Sequence, residues 1–129
     1  MTATPRAVEL ATEAALAASD KLATDVVAID VSEQLVITDV FLLAAAPNDR
    51  QVRAIVDAIE ERLLRIGVKP LRREGEREGR WVLLDFGELV VHVQHADERE
   101  YYALERLWRD CPTIALPEQV HAGAGAVRE

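Results

Sequence analysis

The run from Val36 to Ala46 is apolar except at Thr38 and Asp39. Near-continuous apolarity over that length predicts a strand covered on both faces, which only a layered structure provides. The next segment of the chain supplies a cover. Asn48 is a suitable N-cap, Gln51 sits where a capping-box partner would be, and a helix is predicted from about Asp49 to Ile66. Val52, Ile55, Val56, Ile59, Leu63 and Leu64 form its apolar stripe; Arg50, Arg53, Asp57, Glu60, Glu61 and Arg65 mark the wet side. Gly67 fits the left-handed position after the helix and Pro70 forbids continuation.

Periodicity gives the remaining elements. Pro5 to Leu22, rich in alanine, reads as a helix able to lie close to a sheet. Asp25 to Val31 reads as a strand, followed by a polar turn at Ser32 to Gln34. Leu71 to Glu74 is a short strand, and Gly75 to Gly79 a charged turn. Arg80 to Phe86 and Leu89 to His95 form a hairpin about Gly87-Glu88, and a last helix runs from Glu98, capped by Asp97, to Asp110. The predicted class is α/β, a single-layer mixed sheet of about five strands flanked by helices, in the order αββαβββα. Any crossover between parallel strands should be right-handed. Residues 1–111 read as one domain. Residues 112–129, rich in Ala and Gly, read as a flexible tail of which Ile114 to Leu116 could dock.

Composition narrows the function classes. The chain has 129 residues and a net charge of −8. An acidic chain repels phosphate backbones, so little direct nucleic-acid binding is expected. Such a surface suits a basic protein partner, or serves only solubility. Lys69 to Arg80 is the local exception, with five basic and three acidic residues. No run is long enough to cross a membrane as a helix, and Met1 to Arg6 opens no secretory signal, so a cytoplasmic protein is expected. One cysteine, Cys111, excludes a disulfide framework and any multi-cysteine metal site.

Little in the chain points to catalysis. Asp85-Phe86-Gly87 matches a kinase triplet, but the other kinase motifs are absent, so it reads as a turn. His92 and His95, three apart on a strand, should point to opposite faces and cannot share an ion; His92 reads as a half-buried residue donating to a neighbour. No metal or cofactor is expected. Cys111 has no pattern of a reactive thiol. Asp39 within an apolar run needs a partner, most simply a backbone N–H at a strand end. The six aromatic residues say more, since Trp81, Phe86, Tyr101, Tyr102 and Trp108 all lie beyond position 80. They are either core or interface anchors. Phe86 at a hairpin turn is hard to bury, and Tyr101 and Tyr102 cannot share one narrow stripe.

Several segments in order match one family's pattern: Asp25-Val-Val-Ala-Ile-Asp-Val31, Ile37-Thr-Asp39, Arg50-Gln-Val52, Gly79-Arg-Trp-Val-Leu-Leu-Asp-Phe-Gly87, Val90-Val-His-Val93, and Tyr101-Tyr-x-Leu-Glu-x-Leu-Trp108. Over about residues 5 to 110 the chain resembles the ribosomal silencing factor family (RsfS, Iojap-like). The resemblance implies a fold like that of nucleotidyltransferases; the chain has no Gly-Ser plus Asp-x-Asp site, so no transferase activity is expected and the chain is read as a non-enzyme. It implies binding to the large ribosomal subunit through its fourteenth protein, a basic protein at the joining face. Association with the small subunit would be blocked and translation repressed when nutrients are short. The family's contact region falls on Trp81, Phe86 and Tyr102, with Asp85, Glu88 and Arg99 as polar supports. A homodimer is left open. Ala46-Pro47-Asn48-Asp49 departs from the small Ser/Gly-rich turn usual in relatives. Two other readings stand beside this one: an enzyme using Asp25, Asp30 and Asp39, and a homodimer whose aromatic patch serves only self-association.

Overall fold

A computed structural model describes residues 2–120, apart from the side chains of residues 101, 102 and 105. The first helix, α1 (Pro5–Asp20), begins at Thr4, whose Oγ1 accepts from the Ala7 N–H, with proline in the first turn where a missing N–H costs nothing. Its alanines at 7, 11, 14, 15 and 18 are completely buried. Strand β1 (Thr24–Asp30) pairs antiparallel with β2 (Val40–Ala46). Helix α2 (Asp49–Arg65) packs beside α1 on the same face of the sheet. Its N-cap is as expected, the Gln51 N–H donating to Asn48 Oδ1 at 2.8 Å. The Gln51 side chain does not complete a capping box. It reaches the Lys21 carbonyl at 2.9 Å and ties the start of α2 to the turn after α1. At the other end, Gly67 has φ +82°, and the Gly67 and Val68 N–H groups donate to the Leu64 and Leu63 carbonyls. Of the expected stripe, only Leu64 is exposed.

Next come strands β3 (Arg72–Glu74), β4 (Trp81–Asp85) and β5 (Leu89–His95). They join the sheet in the order β3-β4-β5-β2-β1-β6, with β5 parallel to β2 and every other pair antiparallel. The sixth strand, β6 (Thr113–Ile114), pairs with β1, and the Asp30 N–H donates to the Pro112 carbonyl at 2.8 Å. The segment read as a flexible tail is therefore built into the sheet at its start. Val120 is buried in the main core as well. Residues 121–129 lie outside the described residues.

Two further expectations are corrected. The second strand starts at Val40, not Val36. Pairing with β5 begins at Val40 opposite Leu89, and before that point Gln34 and Leu35 fold back to donate to the Val31 carbonyl. Val36 and Ile37 thus stand outside the sheet. The last helix is not continuous either. Helix α3 (Ala96–Tyr102) is capped by His95, whose Nδ1 accepts from Asp97 N–H, because β5 runs straight into it. Ala103 at φ 47° ends it, and a short helix α4 (Leu104–Leu107) comes after the break. Beyond Ala103, Leu104 and Trp108 pack against Ile29, Val31 and Leu43 on the sheet face opposite α1 and α2.

Candidate functional site

Strand alternation sorts β4 and β5 into two sides. Val82, Leu84, Leu89, Val91 and Val93 join the main core under α1 and α2. Trp81, Leu83 and Asp85 alternate onto the other side, and each stays partly exposed. That side carries the candidate interface.

A chain of rings crosses it. Trp81 Nε1–H donates to His92 Nδ1 at 3.1 Å. The Phe41 ring meets His92 edge-on at 5.0 Å and Trp108 edge-on at 5.2 Å. His92 accepts from its neighbour, where the sequence suggested that it donates. It is 6% exposed, and burial, reinforced by the Arg99 guanidinium, pushes its pKa down to about 4. The imidazole is neutral, with Nδ1 the acceptor and Nε2 carrying the proton. Among the described residues Nε2 meets no hydrogen-bond partner, and neither does the amide of fully buried Gln94, which lies opposite Trp81 in the β4–β5 register.

The predicted contact residues separate. Trp81 and Asp85 share the open face. Asp85 also shapes the hairpin: Oδ1 accepts from the Gly87 N–H at 2.9 Å, and Arg72 approaches Oδ2 at 3.9 Å. Glu88 is exposed and accepts from Thr4 Oγ1 at 2.8 Å. Phe86, expected to be hard to bury, is only 7% exposed and belongs to the core under the helices. The alternation of β4 carries on one residue past its end, and that turns the ring inward. Arg99, expected as a surface support, is 6% exposed and lies beside His92. The Tyr102 backbone closes α3, but its side chain lies outside the described residues. Phe41, His92 and Trp108 were not assigned to the site from sequence; the alternation of β2 and β5 was the signal that could have joined the first two.

Two of the three aspartates of the enzyme reading, Asp30 and Asp39, have other tasks. Asp30 accepts from the Ala3 N–H at 2.9 Å and from Ser32 Oγ at 2.6 Å. Burial pushes its carboxyl up, but the bonds from Ser32 and Ala3 outweigh this and hold it below its ordinary value. Asp39 accepts from the Thr4 N–H at 2.9 Å, the backbone partner that its place in the sequence demanded. These two carboxylates fasten the chain that leads into α1. Among the described residues no cluster of His, Cys, Asp and Glu could hold a metal ion, and no helix is long and apolar enough to cross a membrane.

Known proteins share this sequence and fold. Residues 4–128 match the family described as "Ribosomal silencing factor during starvation". The chain is 44% identical over 103 residues to ribosomal silencing factor RsfS of Bacillus subtilis, covering 80% of this chain and 87% of that one. A crystal structure from Bacillus halodurans superposes with a TM-score of 0.74 at 41% identity, covering 84% and 98% of the two chains. The mouse "Mitochondrial assembly of ribosomal large subunit protein 1" is 28% identical over 89 residues, covering 67% of this chain and 39% of that one.

Proposed function

The chain belongs to the ribosomal silencing factor family, and from that premise we propose that it binds the large ribosomal subunit through the subunit's fourteenth protein. Bound there, it prevents joining of the small subunit and so lowers translation when nutrients are limiting. The observation that carries this reading is Trp81: a large ring held by His92 on a sheet face that keeps Trp81, Leu83 and Asp85 partly exposed. A rigid, amphipathic side chain on an open face is the kind of anchor that dominates protein interfaces. Asp85 and Glu88 flank the hairpin with negative charge, which suits a basic partner. The mouse relative, named for assembly of the ribosomal large subunit, supports the choice of subunit.

In this reading Trp81 and Tyr102 are anchors, and Asp85 and Glu88 meet basic side chains. Phe86 holds the hairpin from beneath, and Arg99 supports the ring chain from within. The role is regulatory and requires no catalysis. Truncating Trp81 to Ala should leave the fold intact and weaken binding to the purified fourteenth protein by about 2 kcal/mol or more. Titration of wild type and variant checks this, and equal affinities for both would remove Trp81 from the interface.

A further inference from the structure

We infer that the tip of the β1–β2 loop, Val36 and Ile37, is a second docking surface for a basic protein, separate from the Trp81 face. Val36 is 102% exposed and Ile37 85%, although both are β-branched aliphatics. Single exposed apolar residues are ordinary, but two adjacent ones on a braced loop are not. The bracing is specific. On one side Leu35 packs against Ile29, Val31 and Leu43, and its N–H donates to the Val31 carbonyl at 2.9 Å. On the other, Thr38 is buried, Val31 N–H donates to the Asp39 carbonyl, and Asp39 N–H donates to the Glu88 carbonyl. Val36 and Ile37 thus stand exposed between a half-buried Leu35 and a buried Thr38. Leu71, also exposed, lies against Gly87 at the same end of the sheet.

Stiff side chains on a fixed loop lose little freedom when a partner covers them. Charge selects the partner. From Asp30 to Asp39 the chain holds Asp30, Glu33 and Asp39 and no Lys or Arg. Phosphate backbones are repelled by such a surface, whereas a basic protein with an apolar hollow is attracted. The inference deepens the ribosome reading and rests on it: the factor would grip protein at two points, the Trp81 face and this tip.

The test uses the full chain, titrated against purified large subunits and scored by co-sedimentation. Val36→Ser with Ile37→Ser should weaken binding about tenfold or more while the far-ultraviolet circular dichroism and Tm stay those of wild type. Should that double variant not fold, Val36→Thr with Ile37→Thr keeps the branching and reads the same loss. Unchanged binding by the variant, beside a loss in Trp81→Ala, would overturn the inference and leave the ribosome reading standing. A variant that loses only self-association in analytical ultracentrifugation would overturn it in favour of a second copy. Loss only of binding to protein-free ribosomal RNA would overturn it in favour of RNA. Failure of the wild type to bind large subunits would remove the ribosome reading, and this inference with it.

Discussion

At the scale of single residues, His92 is the side chain on which the aromatic face turns. It is the acceptor that orients Trp81 and the ring against which Phe41 stands. The acceptor role needs the neutral imidazole, which burial enforces by moving the pKa from 6.5 to about 4. In the unfolded chain the same group takes up a proton near pH 6.5, so between these values the unfolded state binds more protons. Stability from this group is complete above about pH 6.5 and is lost as the pH falls toward 4. The loss should total about 3 kcal/mol, at roughly 1.4 kcal/mol per pH unit. Melting curves recorded from neutral pH down to about pH 4 should show a shallower decline in His92→Phe than in wild type. Parallel declines would mean that His92 titrates as it would in water. The sequence placed His92 on the right strand. It could not give the direction of the hydrogen bond, because that depends on Trp81 arriving across the hairpin.

At the scale of elements, two backbone positions decide how the face is presented. Gly75 has φ +82°, and a Cβ there would lie 2.0 Å from the Trp81 carbonyl oxygen. The turn between β3 and β4 therefore closes directly over the start of the strand that carries Trp81. Gly75→Ala should cost about 1–3 kcal/mol and displace Trp81, read as a lower Tm together with a shifted tryptophan emission. Ala103 presents the opposite case. It holds φ 47°, a region costing an L-residue roughly 1–2 kcal/mol, so Ala103→Gly should raise the melting temperature or leave it unchanged. A fall would mean that the alanine methyl is needed for packing. The break at Ala103 was hidden in the sequence, since Leu104, Leu107 and Trp108 continue the helical spacing of the preceding segment. The late start of β2 was hidden for a related reason: Val36 and Ile37 have ideal strand chemistry, and only the absence of a partner strand opposite them, among the described residues, leaves them in a loop.

For the molecule as a whole, the order of elements was legible because each is strongly patterned: the alanine helix, the capped amphipathic helix and the hairpin with glycine at its turn. The layering was legible from β2 alone, whose residues Leu42 to Ala46 are all buried. Sheet order was legible only in the β4–β5 hairpin, because nothing in the pattern of either strand shows that β5 pairs with β2 on its other side. Nor was the strand made by Thr113–Ile114, too short to show a period. The candidate interface was legible in part. Trp81 and Asp85 fall on one face as their spacing on β4 requires, while Phe86 and Arg99 turn inward. The result is a sheet with one face closed by two helices and the other only partly covered, bearing an oriented tryptophan and flanking carboxylates.

The central claim, that this chain keeps ribosomal subunits apart by occupying the large one, is tested most directly by a sucrose gradient. Purified protein is mixed with large subunits in moderate salt, small subunits are added, and the fractions are probed for the factor and for joined ribosomes. The account predicts that the wild type travels with the large subunit alone and lowers the joined fraction, whereas Trp81→Ala does neither. Failure of the wild type to travel with the large subunit, or an undiminished yield of joined ribosomes when it does, would contradict it.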